Sequence, residues 1–181
     1  MRYEIRLSGS GGQGMILAGV ILAEAAAIYD QKNATQSQSY GPEARGGASK
    51  SEVIISDEDI FFPKATNIDL LLALTQESCD KYIHDLKPGG ILIVDEDFVQ
   101  KLPAGNFKTH VVPITRIAQE KIGKIIVANI VALGVVVALS GVVSESAIEN
   151  AVLTRVPKGT EELNRKALQA GLESVKKAEK K

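Results

Sequence analysis

The chain has 181 residues, 45% apolar and 24% charged, with a formal net charge of −1. That length and apolar share suit one substantial core rather than two independent domains, so a single domain over residues 1–181 is expected. The balanced charge leaves no electrostatic footprint for nucleic acid, and four Tyr, four Phe and no Trp make stacking platforms for bases or sugars an unsuitable reading.

Residues 3 to 8 alternate apolar and polar as a first strand. It ends in Gly9-Ser10-Gly11-Gly12-Gln13-Gly14, and an apolar helix from about Gln13 to Tyr29 follows. Asn33 to Gln38 reads as a short polar strand, and Lys50 to Ser56 as a more regular one around Val53 and Ile55. Asp57-Glu58-Asp59 breaks the pattern as a turn. Ile68 to Leu74 is a compact apolar run of the buried-strand type, Gln76 to Leu86 suits a helix, and Lys87-Pro88-Gly89-Gly90 is a turn into a strand from Ile91 to Val94. Phe107 to Val112 is the last strand. From Ile114 onward the pattern is helical, interrupted near Ser144 and at Pro157-Lys158-Gly159, and the charged tail from Glu173 to Lys181 is expected to fray.

Strands alternating with helices, with buried runs instead of one-sided alternation, predict an α/β fold: a three-layer α/β/α domain with a mainly parallel sheet and a Rossmann-like first strand-turn-helix. The link between residues 35 and 50 is too short to hold a crossover helix comfortably, which admits a mixed sheet. Residues 125 to 143 approach the roughly 20 apolar residues that span a bilayer. Asn129 within the run, its β-branched and small residues, and the lack of flanking aromatic anchors favour a buried or partner-covered helix instead, with no membrane association.

Cys79 is the only cysteine, which excludes an internal disulfide framework and any four-cysteine iron–sulfur site within the chain. Its place early in a helix could lower its pKa, but an inert, half-buried thiol is the simpler reading. His84 on a helix surface and His110 in or beside a strand lack metal-ligand spacing, so no metal site is expected. The chain begins directly in its first strand with no secretory signal pattern, which points to the cytoplasm.

Two loops carry the chemistry. Gly9, Gly11 and Gly14 fit G-x-G-x-x-G between a strand and a helix, a context in which backbone amides can hold phosphate or carboxylate. A dinucleotide site also needs an acid closing the second strand, yet Asp30 precedes that strand and Asn33 to Gln38 contains none. The same lack counts against a methyltransferase, despite Leu86-Lys87-Pro88-Gly89-Gly90, and no Lys-Ser or Lys-Thr follows the glycines as a P-loop requires. Gln13 can donate and accept, toward a ligand or a neighbouring loop, and the glycines can also serve only strand–helix packing. The second loop is Ser39-Tyr40-Gly41-Pro42-Glu43-Ala44-Arg45-Gly46-Gly47. Gly41-Pro42 sets a turn, Gly46-Gly47 permits positive φ or close approach, and Glu43 and Arg45 sit between them as a ligand grip or as an ordinary surface ion pair.

Together the two loops resemble the gamma subunit of the 2-oxoacid:ferredoxin oxidoreductases, most closely the 2-oxoglutarate branch. The likeness continues through Ile68 to Thr75, Lys87 to Gly90 and Asn129 to Gly134. The resemblance implies a complex that oxidatively decarboxylates a 2-oxoacid with thiamine diphosphate and Mg²⁺, passes electrons through iron–sulfur clusters to ferredoxin, and forms an acyl-CoA from coenzyme A. The cofactors would lie on thiamine-binding and cluster-bearing partner chains, and the chain alone would be inactive. No Gly-Asp-Gly stretch with paired asparagines is present to bind thiamine diphosphate. Under this resemblance Gly9, Gly11, Gly12, Gln13 and Gly14, with Tyr40, Gly41, Glu43, Arg45, Gly46 and Gly47, would face the catalytic subunits or coenzyme A, with no catalytic residue among them. The equivalent subunit for pyruvate, a branched-chain 2-oxoacid or indolepyruvate is the first alternative, and a stand-alone nucleotide or small-molecule binding module the second.

Overall fold

The computed structural model describes residues 1–39 and 47–176. Six strands form one sheet: β1 (Arg2–Ser10), β2 (Asn33–Ser39), β3 (Ala48–Ser56), β4 (Ile68–Ala73), β5 (Leu86–Asp95) and β6 (Lys108–Val112), in the order β2-β3-β1-β4-β5-β6. β1, β4, β5 and β6 run parallel, whereas β3 lies antiparallel between β1 and β2. The sheet is therefore mixed, as the short link between residues 35 and 50 demands. β1 and β4 are central, and Ile68 through Ala73 are buried on both faces, which is why that run is apolar without alternation.

The helical layers are unequal. One face carries α1 (Met15–Glu24), extended by a π-helical stretch Ala25–Tyr29, then α3 (Ile114–Arg116), α4 (Ala128–Ser140), α5 (Glu145–Arg155) and α6 (Glu161–Lys176) around the main core. The other face carries α2 (Gln76–Tyr82), which closes a smaller core of Ile68, Leu71, Leu92 and Val94. Thr75 starts α2 with a reciprocal cap: its hydroxyl accepts from Ser78 N at 3.2 Å while Ser78 Oγ accepts from Thr75 N at 3.4 Å. Ser144 caps α5 by accepting from Ala147 N at 3.1 Å, the interruption seen near that residue in the sequence.

Three expectations need correction. Lys87 to Gly90 is not a turn before a strand but part of β5, where the ladder to β4 shifts register between Ile68 and Leu70 and Gly89 takes φ 79°. The bulge absorbs the Pro-Gly pair without ending the strand. The apolar run from 125 to 143 is not one helix either. A 3₁₀ turn at Ile125–Val127 precedes α4, and Gly141 at φ 60° ends it. Asn129 through Val137 are buried, and no helix among the described residues is long and apolar enough to cross a membrane. At the C-terminus, α6 extends to Lys176, past Glu173 where fraying was expected, because Leu172 and Val175 are buried.

Candidate functional site at the glycine turn

The central strand β1 delivers Gly9 and Ser10 to the carboxyl edge of the sheet, and Gly14 opens α1 in a left-handed conformation at φ 75°. Gln13 closes the turn on itself. Its Oε1 accepts from Ser10 N at 2.7 Å, and its backbone N–H donates to Ser10 O at 3.3 Å. This fold-back explains Gly9, since a Cβ there would overlap Gln13 Oε1. Asn129, buried in the first turn of α4, donates from Nδ2 to Gly14 O at 3.3 Å and fills the space where a Gly14 Cβ would stand, 2.6 Å from that nitrogen. The two carboxamides thus fix the turn from inside and from the neighbouring helix.

Two grooves flank it. One, about 330 Å³, runs between Gly12, Gly14 and Leu17 on one side and Ile126, Asn129 and Pro157 on the other. The second, about 410 Å³, is lined by Gln13, Leu74, Phe98, Thr115 and Ile126. Their rim is apolar and uncovered: Ile126 is 80% exposed, Ile125 56%, Phe98 50% and Leu17 40%. No Asp, Glu, Lys, Arg, His or Cys lines either groove among the described residues. The described lining offers carboxamides, hydroxyls and apolar side chains, groups suited to binding and orienting a neighbour.

Asp95, Asp30 and Cys79 serve the fold. Asp95, fully buried at the end of β5, accepts from Thr115 N at 2.9 Å and Thr115 Oγ1 at 2.7 Å, which ties β6 and α3 to the sheet. Asp30, the acid nearest the position a dinucleotide would need, accepts from Ser144 N and Ser144 Oγ, both at 2.7 Å, and so anchors α5 instead. Cys79 is fully buried, and its thiol is pushed up to about 11 by burial first and by Asp80 second. That thiol is more buried than expected, and inert at neutral pH. Among the described residues no three His, Cys, Asp or Glu side chains come together as a metal site.

The structure brings together Gly9, Gly11, Gly12, Gln13 and Gly14, the first group of residues singled out in the sequence. Tyr40, Gly41, Glu43, Arg45 and Gly46 lie outside the described residues. Of that loop only Gly47 is described, next to Ala48, which pairs with Ser10 across the β1–β3 ladder, and at the other flank Ser39 pairs with Lys50. Both flanks therefore end at the glycine-turn edge of the sheet. Asn129, Ile126 and Phe98 complete the site but were not singled out for it. The polar interruption that Asn129 makes in an apolar helix was its only local signal.

The sequence profile of the pyruvate ferredoxin/flavodoxin oxidoreductase family matches residues 4–174. The 2-oxoglutarate synthase subunit KorC of Methanocaldococcus jannaschii is 57% identical over 97% of this chain and 95% of its own length. The crystal structure of a keto/oxoacid ferredoxin oxidoreductase gamma subunit from Geobacter sulfurreducens superposes with a TM-score of 0.92 at 63% identity, covering 98% of each chain. The ketoisovalerate oxidoreductase subunit VorA of Methanothermobacter thermautotrophicus is 36% identical over 94% of this chain, but the match is only 36% of that longer protein. With a mixed six-stranded sheet, a carboxamide-braced glycine turn and a profile match over almost all of its length, the chain belongs to the pyruvate ferredoxin/flavodoxin oxidoreductase family.

Proposed function

We propose that the chain is the gamma subunit of a 2-oxoglutarate:ferredoxin oxidoreductase, a non-catalytic component of a complex that converts 2-oxoglutarate and coenzyme A to an acyl-CoA and carbon dioxide while reducing ferredoxin. The observation that carries this reading is the pairing of 57% identity to a 2-oxoglutarate synthase subunit with a glycine-turn site that has an apolar rim and no charged lining residue among those described. Such a rim suits another subunit better than water. The thiamine diphosphate and iron–sulfur clusters of the reaction, which supply carbanion stabilisation and electron transfer, do not fit this chain. A cluster needs several thiolates, and Cys79 is single and buried. They belong on thiamine-binding and cluster-bearing partners in the cytoplasm.

In this reading the glycine turn and the Tyr40 to Gly47 segment pack against the catalytic subunits and form part of the face where coenzyme A enters. Arg45 is the proposed contact for a carboxylate or phosphate, because a guanidinium can meet either in bidentate fashion, with Glu43 the carboxylate proposed to orient it. A stand-alone nucleotide module fits less well, because the Ser10 amide already donates to Gln13 Oε1 and no cation lines either groove among the described residues. Anaerobic co-production with the thiamine-binding and cluster-bearing chains tests the reading. The purified complex should reduce viologen only with both 2-oxoglutarate and coenzyme A, and a preference for pyruvate or a branched 2-oxoacid would reassign the substrate. Arg45→Ala should raise the KM for coenzyme A or 2-oxoacid in an assembled complex, and unchanged kinetics would remove the ligand contact.

A further inference from the structure

At the opposite end of the sheet from the glycine turn, the connection from β3 to β4 presents Phe61 and Phe62 side by side, 91% and 55% exposed. Single exposed apolar residues are ordinary, but two adjacent phenylalanines from a chain with four are not. The connection is also braced from beneath. Arg2 Nη2 donates to Phe62 O at 2.9 Å and Lys64 O at 3.1 Å, and Arg2 Nε donates to Glu4 Oε1 at 2.8 Å. Glu4, 5% exposed, also accepts from Thr66 N at 2.8 Å and Asn67 N at 2.9 Å through Oε2. Its own amide donates to Asp69 at 2.8 Å, and Asp69 pairs with Lys87. The Arg2 and Glu4 side chains thus hold the backbone on both sides of Pro63 in one conformation. A braced backbone beneath exposed aromatic rings lowers the ordering cost of a contact made there.

Next to the aromatic pair in sequence stand Asp57, Glu58 and Asp59, all exposed, and among the described residues only Asp57 forms an ion pair, at 3.3 Å to the amino terminus. We propose that Phe61 and Phe62 form a second docking surface, which seats in an apolar cleft rimmed by Lys or Arg on another subunit of the oxidoreductase. The inference rests on the proposed subunit role. The acidic flank sets the sign of the partner's rim. The longer ketoisovalerate relative, in which the matching stretch is joined covalently to further enzyme sequence, favours a partner from the same enzyme over an unrelated protein. The nine-residue strand β1 separates the two ends by roughly 30 Å at about 3.3 Å per residue, so the tip and the glycine turn contact different parts of the assembly.

The test titrates the remaining subunits with wild-type chain, Phe61→Ser/Phe62→Ser and Glu58→Lys/Asp59→Lys, with complex formation read by analytical ultracentrifugation at low and moderate salt. All four side chains are exposed, so the free variants should keep the wild-type melting temperature and circular dichroism. The double Phe variant should weaken assembly at least tenfold, and the charge-reversed variant should slow association and flatten its salt dependence. Wild-type affinity for the double Phe variant overturns the docking surface, and unaltered salt dependence for the reversed one overturns the basic rim. Wild-type chain that dimerises alone through Phe61 and Phe62 overturns it in favour of a second copy. Failure of wild-type chain itself to assemble overturns the subunit reading, an outcome distinct from the others.

Discussion

The α4–α6 crossing and the glycine turn both leave no room for a Cβ, and they do so for different reasons. Where α4 crosses α6, a Cβ on Gly134 would run into Leu168 O and one on Gly171 into Val131 O, so backbone meets backbone. At the glycine turn, a Cβ on Gly9 or Gly14 meets the end of a side chain, Gln13 or Asn129. A carbonyl on a packed helix cannot step aside, whereas a carboxamide can rotate. The first pair of glycines sets the fold, and the second sets the position of a loop.

The largest effect should therefore fall on the crossing. Gly171→Ala gains about 1 kcal/mol of helix propensity, but overlap with a backbone oxygen in a buried interface costs about 3 kcal/mol or more. A net loss of at least about 2 kcal/mol in chemical denaturation is expected, and a neutral or stabilising outcome would show that α4 and α6 slide apart freely. Gly14→Ala should come next. It forces φ 75° on a residue with a Cβ and presses on Asn129 Nδ2, for a loss of about 2 kcal/mol. In the assembled complex the same change should weaken subunit association, which the crossing variant does only through instability.

The contrast sharpens at Gly9. Gly9→Ala alone should cost about 1 to 2 kcal/mol, because Gln13 must leave Ser10 N, and Gln13→Ala alone about 1 kcal/mol for the lost bond. Since both changes remove the same contact, the double variant should be destabilised by no more than the larger single one. Simple additivity in this double-mutant cycle would mean that Gly9 is small for another reason.

The sequence carries these two roles unequally. The α/β class, the buried strand type of the Ile68 to Leu74 run and the possibility of a mixed sheet were readable because strand periodicity and a short connection are local signals. The G-x-G-x-x-G turn was readable too, yet its meaning was not, since the same letters describe a phosphate cradle, a packing turn or a subunit face. The missing acid at the end of β2 narrowed that choice, and Asp30 bonded to Ser144 shows where the nearest carboxylate goes. Other parts of the site come from far away in the chain. Asn129 reaches Gly14 across 115 positions, and Phe98 joins from beyond β5. No spacing rule connects such residues, because only the tertiary fold brings them together. The bulge at Gly89 was missed for the opposite reason: Pro88-Gly89-Gly90 is strong local turn chemistry that pairing with β4 overrides.

The smallest effect belongs to Cys79, which lies beneath the sheet on the face opposite the larger core. Its thiol is pushed up to about 11 by burial, with Asp80 adding to the shift, while an unfolded cysteine titrates near 8.5. The folded chain therefore holds this proton after the unfolded chain has lost it. Stability from this group is fully present below about pH 8.5 and is lost as pH rises toward 11. Cys79→Ser keeps a buried hydroxyl that does not titrate in that window, so its stability should fall less steeply than that of the native chain between pH 9 and 10.5. Iodoacetamide at pH 8 gives an independent reading: the folded chain should stay unmodified for hours and the denatured chain should react within minutes. Rapid modification of the folded chain would mean that the smaller core under α2 opens on that timescale, making the thinly covered face the mobile one and the five-helix face the rigid one.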